Sequence, residues 1–135
     1  MLKVKVVVVM NQIPAIQAGL RPKAAQVIRR TTLEIERSSK LSMQEGKTGR
    51  LYDRPGGKVH VASAPGEAPA IDYSVLVNSI QSAFPEELTG VVYTNTEYAP
   101  ALEFGGVRLE PRPFFTPAAE RAWPEFLARM KGIVE

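Results

Sequence analysis

PKAAQVIRRTTLEIERSSKLSM, residues 22–43, decides the fold class. Ala24, Val27, Ile28, Thr31, Ile35 and Ser38 recur every three or four residues and share one face of a helix. Arg29, Arg30, Glu34, Arg37 and Lys40 occupy its other faces. Pro22 suits the first turn, where a missing N–H costs nothing. Glu36 and Lys40 form an (i, i+4) pair in the favoured order. The apolar stripe is small in side chain, which predicts close packing on a sheet. Immediately upstream, Leu2, Val4, Val6 and Val8 alternate with Lys3 and Lys5 and then with Val7 and Val9. This is a strand that becomes apolar on both faces, expected to be central or covered on both sides at its second half. Asn11-Gln12-Ile13-Pro14 breaks the chain between strand and helix.

Downstream of the helix, Gly49, Pro55, Gly56, Gly57, Pro65, Gly66 and Pro69 punctuate two short β-like pieces, Arg50–Tyr52 and Lys58–Ser63. Pro presets φ and Gly permits φ > 0, so Arg54-Pro55-Gly56-Gly57 reads as a turn. The expectation is a β-hairpin over Gly49–Ser63, followed by an extended loop over Ala64–Ile71. As an insertion, 46–71 is expected to project, and its residues Arg50, Tyr52, Arg54, Lys58 and His60 form a candidate partner-contact loop. Tyr73–Ser79 reads as a short helical turn, and Ser79–Phe84 and Gly90–Asn95 as antiparallel strands around Pro85-Glu86-Glu87-Leu88. Glu97–Phe104 reads as a short helix with Pro100 in its first turn and Gly105 as its left-handed stop. Tyr98, Leu102 and Phe104 are expected to bury one side of it. Phe114 is expected to anchor the approach to the last helix. That helix opens with Thr116 as N-cap and Pro117 at its first position. Ala119, Ala122, Trp123, Phe126, Leu127, Met130 and Val134 keep helical spacing along it, and Pro124 predicts a kink or a restart at Trp123. The architecture is a single α+β domain over 1–135. An antiparallel sheet packs against one long N-terminal helix and a kinked C-terminal helix, with a projecting hairpin and loop.

Length and composition agree: 135 residues allow one domain, and 44% hydrophobic with 23% charged residues is ordinary globular usage. There is no cysteine, which excludes disulfides, thiolate zinc sites and a cysteine nucleophile. The longest apolar run, Val6 to Met10, is too short for a membrane span or a signal-peptide core, so the chain is expected to stay in the cytoplasm where it is made. The net charge of +3 conceals a split, with residues 1–58 at +8 and residues 59–135 at −5. Such a split fits a phosphate-binding face, a head-to-tail contact between copies, or two solvated helix faces.

Few residues offer catalytic chemistry. His60 is the only histidine, its neighbours Lys58, Val59, Val61 and Ala62 neither orient it nor supply a nucleophile, and Ser63 is expected on the opposite face. No metal-ligand spacing and no phosphate-loop motif occurs. No catalytic residue, cofactor or metal is expected. Arg21, Lys23, Arg29, Arg30, Arg37 and Lys40 would give a basic helix, but they surround it, Glu34 and Glu36 interrupt them, and no aromatic residue precedes Tyr52 to stack on a base.

Two stretches carry a resemblance: YAPALEFGG (98–106) and PFFTPA (113–118). Together they resemble the C-terminal signature of the head–tail joining (tail-completion, neck) proteins of long-tailed double-stranded-DNA phages and prophages. That signature is a Tyr-Ala, a Glu-Phe-Gly shortly after, then Pro-Phe and a Pro-Ala opening the last helix. TGRLY (48–52), PGG (55–57) and ASAPGEAPA (62–70) are similar to an insertion found in many phage members. The likeness spans nearly the whole chain and departs at DYSVL (72–76), where members commonly carry Thr-Gly before the Leu. It implies a non-catalytic virion protein that forms or completes a ring at the neck or the head-proximal tail end, with a tail's sixfold symmetry suggesting a hexamer. The implied partners are further copies and other neck and tail proteins, with DNA passing through the lumen without sequence-specific binding and no membrane. The implied location is the virion, and the host bacterial cytoplasm during assembly. Tyr98, Glu103, Phe104, Gly105, Pro113 and Phe114 are then the structural or interface motif. Glu103, amid apolar neighbours, needs backbone donors or a cation such as Arg108 or Arg112 if it is buried. A tail terminator is the nearest alternative, and a small nucleic-acid-binding protein the alternative of another class.

Overall fold

The computed structural model describes residues 4–9, 19–70 and 74–134; the break at 11–14 and the readings placed on Leu2, Lys3 and Tyr73 lie outside the described residues. In chain order the elements are β1 (Val4–Val9), α1 (Leu20–Gln44), β2 (Leu51–Arg54), β3 (Lys58–Val61), α2 (Val75–Ser79), β4 (Gln81–Glu86), β5 (Thr89–Thr94), α3 (Ala99–Phe104) and α4 (Phe115–Val134). The fold is α+β, as the alternation of periods along the chain predicts.

β1, β5 and β4 form an antiparallel sheet in that order, with Val6 opposite Val92 and Gln81 opposite Tyr93. Among the described residues β1 is therefore an edge strand, not a central one. β4 and β5 form a local hairpin that uses one edge of β5, and β1 adds to the other. The register between β4 and β5 shifts between Ala83 and Glu86, around Pro85, which lacks the N–H that a regular ladder needs.

α1 packs along α4 and across β5 and β4. Its buried face is Ala24, Ile28, Thr31, Thr32, Ile35, Ser39, Ser42 and Met43, so Ser39 replaces the expected Ser38. The small stripe does give close packing. An added Cβ on Gly90 of β5 would stand 1.9 Å from Thr32 Oγ1, so only glycine lets helix and strand meet here. Three of the four buried hydroxyls are satisfied within the helix: Thr32 donates to the Ile28 carbonyl at 2.7 Å, Ser39 to that of Ile35 at 2.8 Å and Ser42 to that of Ser39 at 2.7 Å, whereas Thr31 Oγ1 finds no partner among the described residues. Glu36 and Lys40 pair at 3.7 Å, as their spacing predicts.

Between helices and sheet lie Ile35, Met43, Leu76, Val77, Ile80, Val92, Phe114 and Phe115, with the two phenyl rings 4.5 Å apart. α4 differs from expectation at three points. It begins at Phe115, so Thr116 lies inside its first turn and does not cap it. It continues through Pro124 with no restart at Trp123. Its buried residues Phe115, Ala118 and Phe126, with half-buried Ala119 and Ala122, make a narrow stripe that leaves Trp123 and Leu127 exposed.

The hairpin forms as its turn chemistry predicts, with Gly56 and Gly57 at φ +86° and +73° between paired Arg54 and Lys58. Leu51, Tyr52 and Val59 are exposed, and the ribbon stands off the core.

Candidate functional site

The residues of the 98–118 signature meet at one carboxylate. Glu103 is buried, and each of its oxygens receives two donors. Oε2 accepts the backbone N–H groups of Phe114 at 2.8 Å and Phe115 at 3.1 Å; Oε1 accepts the Thr116 N–H and the Thr116 hydroxyl, both at 2.6 Å. The first N–H groups of a helix have no partner inside it. Glu103 supplies one from another helix and places its charge at the positive end of α4. Backbone donors, and neither Arg108 nor Arg112, make this burial tolerable.

Ala99 and Glu103, four residues apart, share the inward face of α3. A six-residue helix buries one stripe, so the expected burial of Tyr98 and Phe104 does not occur: they are 48% and 71% exposed, and Leu102 is half-buried. Gly105 ends α3 at φ +84°, ψ 165°, which is not the left-handed helical stop that the sequence suggests. It remains a glycine position, because an added Cβ would lie 3.1 Å from the Leu109 carbonyl oxygen and from Pro111. The chain then folds back through Gly106 and Leu109, whose backbones exchange hydrogen bonds of 2.8 and 3.3 Å, and this leaves Val107 wholly exposed at the tip. Pro113 is half-buried, and Phe114 is fully buried as expected.

The second group is the hairpin. The pairs Tyr52↔His60 and Arg54↔Lys58, with Arg50 accepting from Ala62 N at 2.9 Å, put Arg50, Tyr52, Arg54, Lys58 and His60 on one face. All five candidate contact residues are thus brought together, with the Arg54 guanidinium 5.5 Å from the centre of the Tyr52 ring.

A cavity of about 390 Å³ separates the two groups, lined among others by Met43, His60, Ser63, Leu76, Tyr98 and Arg112. His60 and Ser63 line the same space, contrary to the opposite faces expected of them, because β3 ends at Val61 and Ser63 no longer follows strand alternation. Tyr98 is half-exposed, yet the partial desolvation of its phenol beside this cavity pushes it above its ordinary range. Arg112 donates from Nε to the Ser63 carbonyl at 3.2 Å, and Gly66 N–H donates to the Pro111 carbonyl at 2.9 Å; these bonds tie the insertion to the 98–118 motif.

The chain matches no family model, no curated protein and no solved structure.

The basic residues of α1 are substantially engaged by the protein itself. Arg21 pairs with Glu87 at 2.6 Å, Glu34 receives Arg30 and Arg129, and the Arg29 guanidinium stands 4.0 Å over the Phe84 ring. Among the described residues no group of three or more His, Asp or Glu converges as a metal site, and no helix is long and apolar enough to cross a membrane. Sequence reasoning missed Glu67, which accepts from the Thr48 hydroxyl, from Ala64 N–H at 2.9 Å and from Thr48 N–H at 3.2 Å. The one available signal was a carboxylate directly after the Pro65-Gly66 turn, close to unpaired backbone donors.

Proposed function

We propose that this chain is a structural subunit of the head–tail junction of a long-tailed phage or prophage, one that forms or completes a ring at the neck or the head-proximal tail end. The reading rests on the resemblance, and the observation that carries it is Glu103. The Glu-Phe-Gly half and the Pro-Phe half of the signature are joined by that single carboxylate, so the residues behind the likeness act as one architectural unit. A signature used for architecture suits a protein that works through shape and binding surface, without a catalytic step. The internal pairing of the α1 cations favours this reading over nucleic-acid binding.

Loss of a junction subunit removes an association step and no chemical one. Electron microscopy of lysates from a phage or prophage lacking the gene is expected to show filled heads and polymerised tails that fail to join. Normal infectious particles would overturn the assignment, and a block in DNA replication or gene expression would favour the nucleic-acid reading.

A further inference from the structure

The cavity between the hairpin and the 98–118 motif holds two polar groups that the fold leaves unused. Ser63 is only 7% exposed, it lines the cavity, and its hydroxyl has no hydrogen-bond partner among the described residues. A buried hydroxyl without a partner carries a desolvation cost that a bound ligand would remove. Next to it stands the Arg112 guanidinium. Its Nε and Nη1 donate to the carbonyls of Ser63 and Glu110, at 3.2 and 3.4 Å, and Nη2 finds no acceptor among the described residues. None of the ion pairs among the described residues involves Arg112, so its charge rests on neutral carbonyls alone. Glu103 and Glu67, the carboxylates of the neighbouring motif and of the insertion, are already engaged by backbone N–H groups and by the hydroxyls of Thr116 and Thr48.

We propose that this cavity binds a carboxylate carried on a compact apolar body, with the Arg112 fork and the Ser63 hydroxyl taking the carboxylate and Leu76 and Leu102 packing against the body. Its volume of about 390 Å³ lies within the range of small-molecule sites, about 300–1,000 Å³, and its wall combines apolar side chains with few polar ones, as such sites do. Val75 and Tyr98 belong to that wall and are 58% and 48% exposed, so the space opens to solvent. Arg112 is the lone Lys or Arg of the described wall, which selects a single negative charge. A phosphate dianion would keep an unneutralised charge among apolar groups. The planar guanidinium matches a planar carboxylate, and a hydroxyl beside it adds a further donor. Such a carboxylate belongs either to the last residue of a polypeptide or to a small organic acid.

N-acetyl-leucine, titrated into the full chain and followed by NMR, is expected to shift the amide resonances of Leu76, Leu102 and Arg112 and to saturate. N-acetyl-leucinamide, the same body without the charge, is expected to bind about tenfold more weakly. Arg112→Gln is expected to weaken binding of the acid about tenfold and to leave that of the amide unchanged. Because Arg112→Gln also loosens the tie to the Ser63 carbonyl, Ser63→Ala serves as the second variant. It removes an unpartnered hydroxyl, so the melting curve is expected to hold while the acid binds about threefold more weakly. Equal affinity for acid and amide overturns the proposal, as do saturating shifts confined to residues outside the cavity or the absence of saturable binding. A pentapeptide ending in leucine separates the two sources: binding tighter than that of N-acetyl-leucine identifies a polypeptide terminus, and equal or weaker binding identifies a small acid.

Discussion

Two glutamates fold the chain back on itself, Glu103 in the core and Glu67 at the surface, and the same chemistry has different consequences at the two depths. Glu103 gathers three backbone N–H groups and a hydroxyl between buried Ala99, Phe114 and Phe115. Around Phe114 and Phe115, where water is excluded, its loss strands backbone donors that have no other partner. Glu67 closes the base of the insertion through Thr48 and Ala64, where water can replace it. One carboxylate therefore holds the fold and the other orients an appendage. The comparison breaks if the two regions respond alike.

The largest expected effect is that of Phe114→Ala, which empties a fully buried site beside Phe115 and should destabilise by about 3–5 kcal/mol. Thermal or denaturant unfolding measures it; a variant that melts like the parent yet fails to assemble would make Phe114 an interface residue. Glu103→Ala should follow at about 3 kcal/mol, because buried donors to a charged group lose their acceptor. If it costs under about 1 kcal/mol, the value of an exposed hydrogen bond, the contrast between core and surface fails. Gly90→Ala adds one methyl against Thr32 and should cost about 1–3 kcal/mol through overpacking alone, separating packing strain from polar loss in the same core.

Glu67→Ala should leave the melting curve nearly unchanged while trypsin cuts faster at Arg50 and Lys58, with the α1 sites unaffected. Its pH dependence has a definite sign. The Thr48 hydroxyl, then the Ala64 and Thr48 N–H groups, hold the Glu67 carboxyl below the usual carboxylate range. Its contribution is therefore present above the unfolded carboxyl's range and lost as pH falls through the lower folded value. Hydrogen exchange should show the Thr48 and Ala64 amides losing protection in acid before those of α1; simultaneous loss would mean that the insertion is part of the core's cooperative unit.

The sequence disclosed what is local. α1 was legible because a long amphipathic period leaves little choice, and the hairpin because Pro55-Gly56-Gly57 dictates a turn. The edge position of β1 was not, since an apolar strand shows its propensity but not how many neighbours it will have. Tyr98, Phe104 and Trp123 misled for a shared reason: periodicity identifies residues able to face the core, whereas a short helix or a crowded stripe has room for only some of them. Ala99 and the satisfied Glu103 fill the inward face of α3 instead. The clustering of Arg50, Tyr52, Arg54, Lys58 and His60 on one face followed from alternation once the register was fixed. The ties of Glu67 and Arg112 depend on loop paths that no period encodes.

The pairing of β1 with β5 bears on the order of events during synthesis. Val4 stands opposite Thr94, so the three-stranded sheet cannot be completed until residue 94 of 135 has left the ribosome. α1 must wait longer still for α4, its main helical neighbour. A high contact order of this kind slows folding and leaves the first strand to emerge without its partner. The β4–β5 hairpin, by contrast, closes from adjacent residues and needs no distant segment to pair.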